Sequence, residues 1–409
     1  MLLRQTIYNP FDRETHEDPY PVFRILRDES PVYYDEERDF WVISRYDDVI
    51  AADRDWRTFT PMYGVDLDDT TDYFGEGTPA AGFFLGYDPP RHDDVRRIFQ
   101  KTFLPKGLAP VEGMIQAKVD ELISGFIDRG EADLAEEFAT PLPNDMTADL
   151  LGFPRSEQPR LTELLEIFIA RDPDDTSAIP QEGLDAAAEL KARCARILEE
   201  RRGAAAQNDL IGDMLEAEIE SEPLPDDEVV GLMFFLFTAG ADTVKGLLTN
   251  ALYLLERHPE QRARLVEDPS GIPNAIEEIL RFEAPLPLMR RTATRDVELR
   301  GQVIPEGATV VLLFASANRD ERQFEDPERF DATRKIDRHA TFGGGLHRCM
   351  GAPLARMEAR IALEILLPQM PDYAISGSVK WIDKVNIRGL ERLPVTFEPG
   401  AAANAEEIR

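Results

Sequence analysis

The sequence predicts a mainly α-helical fold with a minor β portion, of the α+β class, organised as a single domain over residues 1–409. Three observations lead to this prediction. A long apolar stretch occupies the middle of the chain, strand-like segments occur only near the beginning and in the last third, and no Gly/Ser-rich linker or internal repeat divides the sequence. Length alone would favour two or three domains, but large single-core enzymes also reach this size.

The β portion is predicted from short apolar segments flanked by turn residues. Residues 31–34 (PVYY) and 40–44 (FWVIS) form two candidate strands that are separated by the charged turn 35–39. Further strands are expected in the last third, at 297–299, 303–304 and 309–314.

The longest predicted helix runs from residue 225 to residue 255. It begins with a cluster of acidic residues and ends before Pro259. Because this helix is apolar on nearly all sides, we expect it to be buried through the centre of the fold. Other helices are predicted at 113–127, 184–200 and 352–367.

Charge and cysteine content exclude several classes of function. The net charge of −32 disfavours nucleic-acid binding, since a polyanion would be repelled. Two cysteines cannot build a disulfide framework, and the five histidines occur in no zinc-binding pattern. The polar N-terminus resembles neither a signal peptide nor an anchor, and the apolar run 229–241 is too short to cross a bilayer. We therefore expect a cytoplasmic protein without a membrane or nucleic-acid partner.

The most informative segment is 342–351 (FGGGLHRCMG). Its glycines allow the backbone to turn tightly and to approach a flat ligand closely. Cys349 lies just before a predicted helix, whose N-terminus favours a thiolate. For an isolated cysteine, the alternative is a buried structural residue in a glycine-rich turn.

This segment resembles the haem-binding loop of the cytochrome P450 family, Phe-Gly-x-Gly-x-His-x-Cys-x-Gly. The positions that match are Phe342, Gly343, Gly345, His347, Cys349 and Gly351. The resemblance implies haem b (iron protoporphyrin IX) as cofactor, Cys349 as the ligand of its iron and His347 as a contact of a haem propionate. A thiolate ligand donates electron density to the iron and favours O–O bond cleavage.

The central helix contains Ala239-Gly-Ala-Asp-Thr243, in which Gly240 weakens the helix and the Thr243 hydroxyl can bond to a carbonyl one turn earlier. The segment resembles the oxygen-binding groove of the family, with Ala239 and Gly240 beside the haem. By resemblance, Asp242 and Thr243 would supply protons during oxygen activation. Close helix packing at the glycine is the alternative interpretation. Lys245, an ammonium group in an apolar stretch, is expected to reach a polar margin or an acid.

Other motifs of the family follow in order. The segment 88–96 resembles Asp-Pro-Pro-x-His-x-x-x-Arg and implies that His92 and Arg96 contact a propionate, as does Arg291. A solvated helix and a surface strand are the alternatives. Glu278 and Arg281 share a helical face, and the resemblance pairs them with Arg329 in a structural ion network below the haem.

The resemblance covers nearly the whole chain, from residues 18–22 to residues 388–394. It implies a cytochrome P450 fold with its long central helix across the haem. The implied activity is a monooxygenase that inserts one oxygen atom of O2 into an organic substrate, by hydroxylation or O-dealkylation. Electrons would come from NAD(P)H through separate redox proteins, because no flavin or iron–sulfur motif is present. A peroxide-driven peroxygenase and a haem-thiolate ligand-binding protein without turnover are the alternatives.

The substrate pocket is placed by resemblance, and its aromatic and aliphatic walls favour a small hydrophobic substrate. The residues named for it are Phe74, Phe83, Phe84, Phe168, Phe234, Phe237, Leu288 and Ile387. Arg171 or Arg388 would bind a substrate carboxylate, or else each is structural.

A basic face is predicted around the cysteine loop. Its members are Arg96, Arg97, Lys101, Arg348 and Arg356. On a protein of net charge −32 such a face would attract an acidic ferredoxin, which would act with its reductase. If the cations instead pair with local acids, no such face forms. The enzyme is expected to be a monomer.

Overall fold

The structure is a computed structural model, and it describes residues 7–67, 82–172, 175–202 and 209–399. Helices dominate this part of the chain. They are α1 Arg13–Glu17, α2 Tyr20–Glu29, α3 Tyr46–Arg54, α4 Arg91–Gln100, α5 Pro105–Ser124, α6 Pro141–Leu150, α7 Gln158–Ile169, α8 Gln181–Arg202, α9 Leu210–Glu216, α10 Asp226–Arg257, α11 Pro259–Glu267, α12 Ile272–Phe282, α13 Phe314–Ala317 and α14 Ala352–Gln369.

The strands are short; the predicted ones are present, and additional strands lie between them and after the last of them. They are β1 Val32–Asp35, β2 Phe40–Ile43, β3 Phe59–Thr60, β4 Glu131–Asp133, β5 Glu218–Ile219, β6 Glu222–Pro223, β7 Met289–Ala293, β8 Val297–Leu299, β9 Gln302–Ile304, β10 Thr309–Leu312, β11 Ala374–Ile375, β12 Lys380–Trp381, β13 Leu390–Arg392 and β14 Pro394–Thr396.

The largest sheet joins the beginning of the chain to its last third, in the order β1-β2-β10-β7-β3. Strand β10 runs parallel to β2, and the other neighbours are antiparallel. The sheet therefore fixes β7, and with it Arg291, beside the N-terminal region. The predicted strand 309–314 ends at Leu312, because the chain enters α13 at Phe314.

Helix α10 is the structural centre, as the sequence predicts. Its first turn carries Asp226, Asp227 and Glu228, whose negative charges interact favourably with the positive end of the helix dipole. The helix ends at the residue before His258-Pro259. It packs against α6, α8, α12 and α14. By length and composition this helix would be able to cross a membrane, but 61% of its most apolar window is buried by the rest of the protein. That burial is typical of a core helix.

Helix α14 packs on α5 and α12 and, with α10, forms the main hydrophobic core. It begins at Ala352, immediately after the glycine-rich segment, as predicted. Helix α5 begins earlier than the predicted residue 113, since Leu104 is extended and Pro105 occupies the first helical turn, where the missing N–H costs nothing. The two helices α10 and α14 thus place their functional segments on opposite sides of one cavity.

Candidate active site

A cavity of about 320 Å³ lies between α10 and the loop that precedes α14. On one side it is lined by Ala239, Gly240, Asp242 and Thr243 of α10. On the other side it is lined by the loop that contains Cys349. The two motifs that the sequence singles out, more than a hundred residues apart, therefore face the same cavity.

The cysteine loop is held by its own backbone and by its glycines. The Cys349 N–H donates to the Phe342 carbonyl over 2.9 Å. Gly343 and Gly345 have φ angles of 66° and 64°, in the left-handed region that favours glycine. A Cβ atom at Gly345 would lie 2.9 Å from the Cα atom of Arg54, so a side chain would not fit there.

Cys349 lines the cavity and is accessible within it. Burial in the surrounding protein raises the pKa of its thiol, while the backbone N–H groups of Gly351 and Ala352 lower it. The sequence-based expectation that the helix N-terminus favours a thiolate is therefore outweighed by burial in the protein alone. Coordination to a metal cation would remove the thiol proton.

On the facing helix, the Thr243 hydroxyl donates to the Ala239 carbonyl over 2.9 Å. A Cβ atom at Gly240 would lie 2.9 Å from Thr147 Oγ1, so the glycine also permits close packing of α10 against α6. Gly240 therefore both lines the cavity and packs closely against α6, and its place in an oxygen-binding groove stays a prediction. Asp242 is almost fully buried, and its Oδ1 has no hydrogen-bond partner among the described residues. Burial raises the pKa of Asp242 to about 7, against the opposing effect of Lys384.

Lys245 lies one turn after Asp242 and reaches an acid. Its Nζ donates to both carboxylate oxygens of Glu166 on α7, over 2.9 and 2.7 Å. The ammonium group is 2% exposed, whereas Glu166 is 35% exposed. The unusual lysine therefore forms a half-buried ion pair that connects α10 to α7.

Two histidines meet beside the cysteine loop. The rings of His92 and His347 lie 4.6 Å apart, and His92 stacks on Phe84. Within the described part of the chain, neither ring nitrogen of His347 has a hydrogen-bond partner, and Oδ1 of Asp88 lies 3.9 Å from its Nε2. Nε2 of His92 is also buried and has no partner among the residues that the structure describes. His347 lines the cavity, while His92 lies behind it.

Two arginines also face this side of the cavity. Arg96 of α4 donates to the Arg348 carbonyl over 3.0 Å. Arg291 of β7 donates to Oδ1 of Asp53 over 2.9 Å, and the second oxygen of Asp53 accepts the Gly344 N–H over 2.6 Å. Sequence reasoning missed Asp53, since nothing in the residues around it indicates a contact with a loop almost 300 positions later.

Comparison with known proteins identifies the family. The cytochrome P450 family model matches residues 32–270 and 272–369. The chain belongs to the cytochrome P450 family. It is 35% identical over 396 residues to cytochrome P450 123 of Mycobacterium tuberculosis, covering 96% of this chain and 98% of that protein.

Two further relatives extend the comparison. The methyl-branched lipid omega-hydroxylase of M. tuberculosis is 34% identical over 395 residues, covering 92% of this chain and 90% of that protein. The crystal structure of CYP109E1 from Bacillus megaterium in complex with testosterone superposes with a TM-score of 0.82 at 32% identity, covering 93% of this chain and 99% of that one. The predicted P450 fold and monooxygenase class are confirmed.

This P450 has side chains that fit a haem-thiolate cofactor. Cys349 presents its thiol to the cavity, and the glycines of its loop allow the loop to pack closely against Asp53 and Arg54. The unpartnered nitrogens of His347 and His92 would satisfy their hydrogen-bonding capacity on haem propionates. Arg96 and Arg291 supply positive charge on the same side.

The ion network around Glu278 contains a different third cation from the one predicted. Glu278 and Arg281 are fully buried and form a bidentate pair with distances of 2.6 and 2.8 Å. The third cation is Arg334, whose Nε lies 3.2 Å from Glu278. The prediction for Arg329 is wrong, because its side chain is 69% exposed and lies near Asp331. Only the Arg329 backbone carbonyl reaches Arg281.

The substrate cavity of the P450 also differs from the prediction. It is lined by Phe83, Phe84, Phe168, Phe234 and Ile387 of the predicted set. Two predicted members are wrong. Phe237 points into the core and packs on Phe153, 6.2 Å away, and Leu288 packs in a core cluster under the sheet. The predicted Phe74 lies outside the described residues.

The two arginines that the sequence offers for binding a substrate carboxylate have different surroundings. Arg388 is buried and bonds to Glu283 and to the carbonyls of His16 and Glu17, so it is a structural residue. Arg171 lines the cavity, and its guanidinium group donates to carbonyls at the end of α7.

The predicted basic face is largely neutralised by local acids. Arg97 bonds to Asp94 over 2.8 Å, and Arg356 forms a bidentate pair with Glu277. Lys101 lies 3.8 Å from Asp213. Arg348 is exposed and Arg96 is partly buried beside the cavity. The positively charged surface is therefore smaller than the predicted basic face.

Proposed function

We propose that this P450 inserts one oxygen atom of O2 into a small-to-medium hydrophobic substrate, by hydroxylation or O-dealkylation. A single observation carries the proposal: Cys349 and the pair Asp242-Thr243 line the same cavity from opposite sides. A thiolate ligand and a proton source on opposite sides of one haem site are what oxygen activation requires.

We assign haem b as the cofactor and Cys349 as the ligand of its iron. When bound, haem supplies the site of oxygen binding and reduction. His347, Arg96 and Arg291 would bind its propionates, and His92 would support His347 or take part in the same contact. The network of Glu278, Arg281 and Arg334 stabilises the region after α12 and takes no part in the reaction.

Asp242 and Thr243 would control the proton supply. A carboxyl group with a pKa near 7 can both accept and donate a proton at neutral pH, which suits a proton relay. Thr243 Oγ1 donates within the helix to Ala239, so its lone pairs remain available to accept a hydrogen bond from water in the cavity. Removal of the hydroxyl would leave that water without this hydrogen-bond acceptor.

The cavity walls support a hydrophobic substrate. Phe83, Phe84, Phe234 and Ile387 form an aromatic and aliphatic lining. The similarity to a methyl-branched lipid omega-hydroxylase and to a testosterone-bound structure agrees with a substrate of this character.

The redox partner and the cellular setting complete the proposal. We expect a cytoplasmic monomer that receives electrons from NAD(P)H through a ferredoxin and its reductase. Arg348, exposed beside the cysteine loop, is the cation best placed to meet an acidic ferredoxin.

The experiment is a reconstituted turnover with isotopically labelled O2. Haem-loaded protein, ferredoxin, reductase and NADPH are incubated with hydrophobic compounds, and the products are analysed by mass spectrometry. We expect one labelled oxygen atom, derived from O2, in the product, and no inserted oxygen atom derived from water. Product formation with hydrogen peroxide alone, at the same rate and without NADPH, would instead indicate a peroxygenase.

A further inference from the structure

The ion pair between Lys245 and Glu166 has no part in the proposed function as stated so far. Lys245 is buried in α10, and its ammonium group donates to both carboxylate oxygens of Glu166, over 2.9 and 2.7 Å. Burying a lysine is costly even when it is paired, because the lost hydration can exceed the attraction between the two charges. An apolar residue would pack in this helix without that cost, so stability alone does not account for the lysine.

The pair lies beside Asp242. Residues three apart on a helix are neighbours on one face, which places Lys245 next to Asp242 on α10. Glu166 reaches the same place from α7, whose Phe168 packs on Phe234 of α10 with the two rings 5.7 Å apart. Asp242 lines the cavity, whereas Lys245 and Glu166 do not. A buried carboxyl group on the cavity wall therefore has a positive and a negative charge beside it, and both charges lie outside the cavity.

The two charges act on Asp242 in opposite directions. Burial is the main cause that raises the pKa of Asp242 to about 7, and the Glu166 carboxylate raises it further, whereas Lys384, Lys245 and Arg171 lower it. These charges belong to α10, to α7 and the residues after it, and to the segment between β12 and β13; Lys191 of α8 and Glu358 of α14 also line the cavity.

Lys245 and Glu166 differ from the other charges around Asp242 in that they compensate each other as one ion pair. Removing either side chain alone changes the balance of charge at Asp242, whereas removing both nearly preserves it. The remaining charged side chains of the cavity are the same in every such variant, so their effects cancel when variants are compared.

We propose that Lys245 and Glu166 are a positioning pair for Asp242, and that the balance of their two charges controls when this carboxyl group releases and regains its proton. This inference rests on the proposed function, because it concerns the acid of the proposed proton supply. The pair acts through its electric field, since the Lys245 ammonium group donates to Glu166 and both side chains lie outside the cavity.

The test follows the infrared band of the protonated Asp242 carboxyl group across pH, in the resting, haem-loaded enzyme. The band is assigned by its loss in Asp242→Asn. We expect the midpoint of its titration to rise by about one pH unit in Lys245→Met and to fall by about one pH unit in Glu166→Gln, because a nearby charge of opposite sign is removed in each case. The variant with both changes should return to within about 0.5 pH unit of the wild type, because the two opposing effects are removed together.

Matched variants separate the field of the pair from effects on folding. Lys245→Arg keeps the positive charge and should keep the wild-type midpoint. Glu163→Gln removes an exposed acid of the same helix α7, which pairs with Arg160, and should leave the midpoint unchanged. Glu358 is a second buried acid on the cavity, and burial raises its pKa to about 8. Its infrared band serves as an internal reference that should stay in place in every variant.

The proposal is overturned if Lys245→Met and Glu166→Gln both leave the midpoint unchanged, which is the result for a pair that only holds α7 against α10. It is also overturned if both variants shift the midpoint in the same direction. Glu166 is 35% exposed, so Glu166→Gln tests the sign of the effect even where Lys245→Met disturbs packing. These midpoints need no turnover, whereas the proposed function fails separately if the wild type incorporates no labelled oxygen.

Discussion

Replacing Asp242 with asparagine is expected to stabilise the folded protein, and to do so more at alkaline than at acidic pH. Asp242 is almost fully buried, and its Oδ1 has no hydrogen-bond partner in the described part of the chain. The ionised carboxylate of Asp242 is therefore destabilised in the folded protein, and burial raises the pKa of this group from an ordinary value of 3.8 to about 7. Asparagine has a similar shape and is never charged.

The sign and the size of this effect follow from proton binding. Between about pH 4 and pH 7 the folded protein holds a proton on Asp242 that the unfolded chain has released, so stability falls as pH rises through this window and levels off above it. The raised pKa of Asp242 lowers the free energy of unfolding by about 4 kcal/mol at about pH 8 and by about 1.5 kcal/mol at about pH 5. The stabilisation by Asp242→Asn should therefore be about 2–3 kcal/mol larger at the higher pH.

The assay is urea denaturation of the haem-loaded, substrate-free protein at the two pH values, followed by the Soret band and by circular dichroism. Asp128→Asn replaces an exposed acid and serves as the control, with little change expected at either pH. A difference between variant and wild type that does not grow with pH would refute the argument that burial of Asp242 opposes its ionisation.

Three further predictions concern the proton supply, the ion network and the redox face. Thr243→Ala should bind haem and consume NADPH as before, but should release more hydrogen peroxide and less product per NADPH, measured by parallel assays; unchanged coupling would remove Thr243 from the mechanism. Arg334→Ala should lower stability by about 3 kcal/mol in thermal or urea unfolding, because Glu278 loses a buried partner, whereas Arg329→Ala should change it by less than about 0.5 kcal/mol; equal effects would contradict the corrected network. Arg348→Glu should slow reduction by ferredoxin several-fold at low salt in stopped-flow measurements, and more than Arg97→Glu, whose native side chain is already paired with an acid; equal slowing by both variants would restore the broader basic face.

The features that the sequence could predict are those encoded locally. The apolar run with its acidic start predicts α10, and the glycines before Cys349 predict a loop followed by a helix. The order of the motifs along the chain matches that of the family, which assigns Cys349 and Asp242 to the same site. These segments need no knowledge of which distant residues they contact.

The features that the sequence could not predict depend on partners far along the chain. Spacing cannot distinguish Arg329 from Arg334 as the partner of Glu278, because both follow the same turn-rich region and only the folded backbone selects one. Nor can it predict that Asp53 binds both Arg291 and the cysteine loop.

The same limit applies to the cavity wall. Phe234 and Phe237 are three residues apart on α10 and were predicted to share the cavity, but Phe237 packs on Phe153 in the core. A helix that is apolar on nearly all sides gives no periodic signal to show which face meets a ligand. Lys384 was not singled out, because only the folded chain brings it to Phe168.

The measurement that tests the central claim most directly is the absorption spectrum of the reduced protein with carbon monoxide. Cys349 lines the cavity, whereas Cys194 is buried in α8, where burial raises its pKa to about 12. The wild type and Cys194→Ser should both show the red-shifted Soret band of a thiolate-ligated haem, and Cys349→Ser should lack it. Retention of the band in Cys349→Ser, or its loss in a folded, haem-containing Cys194→Ser, would contradict the assignment of Cys349 as the haem ligand.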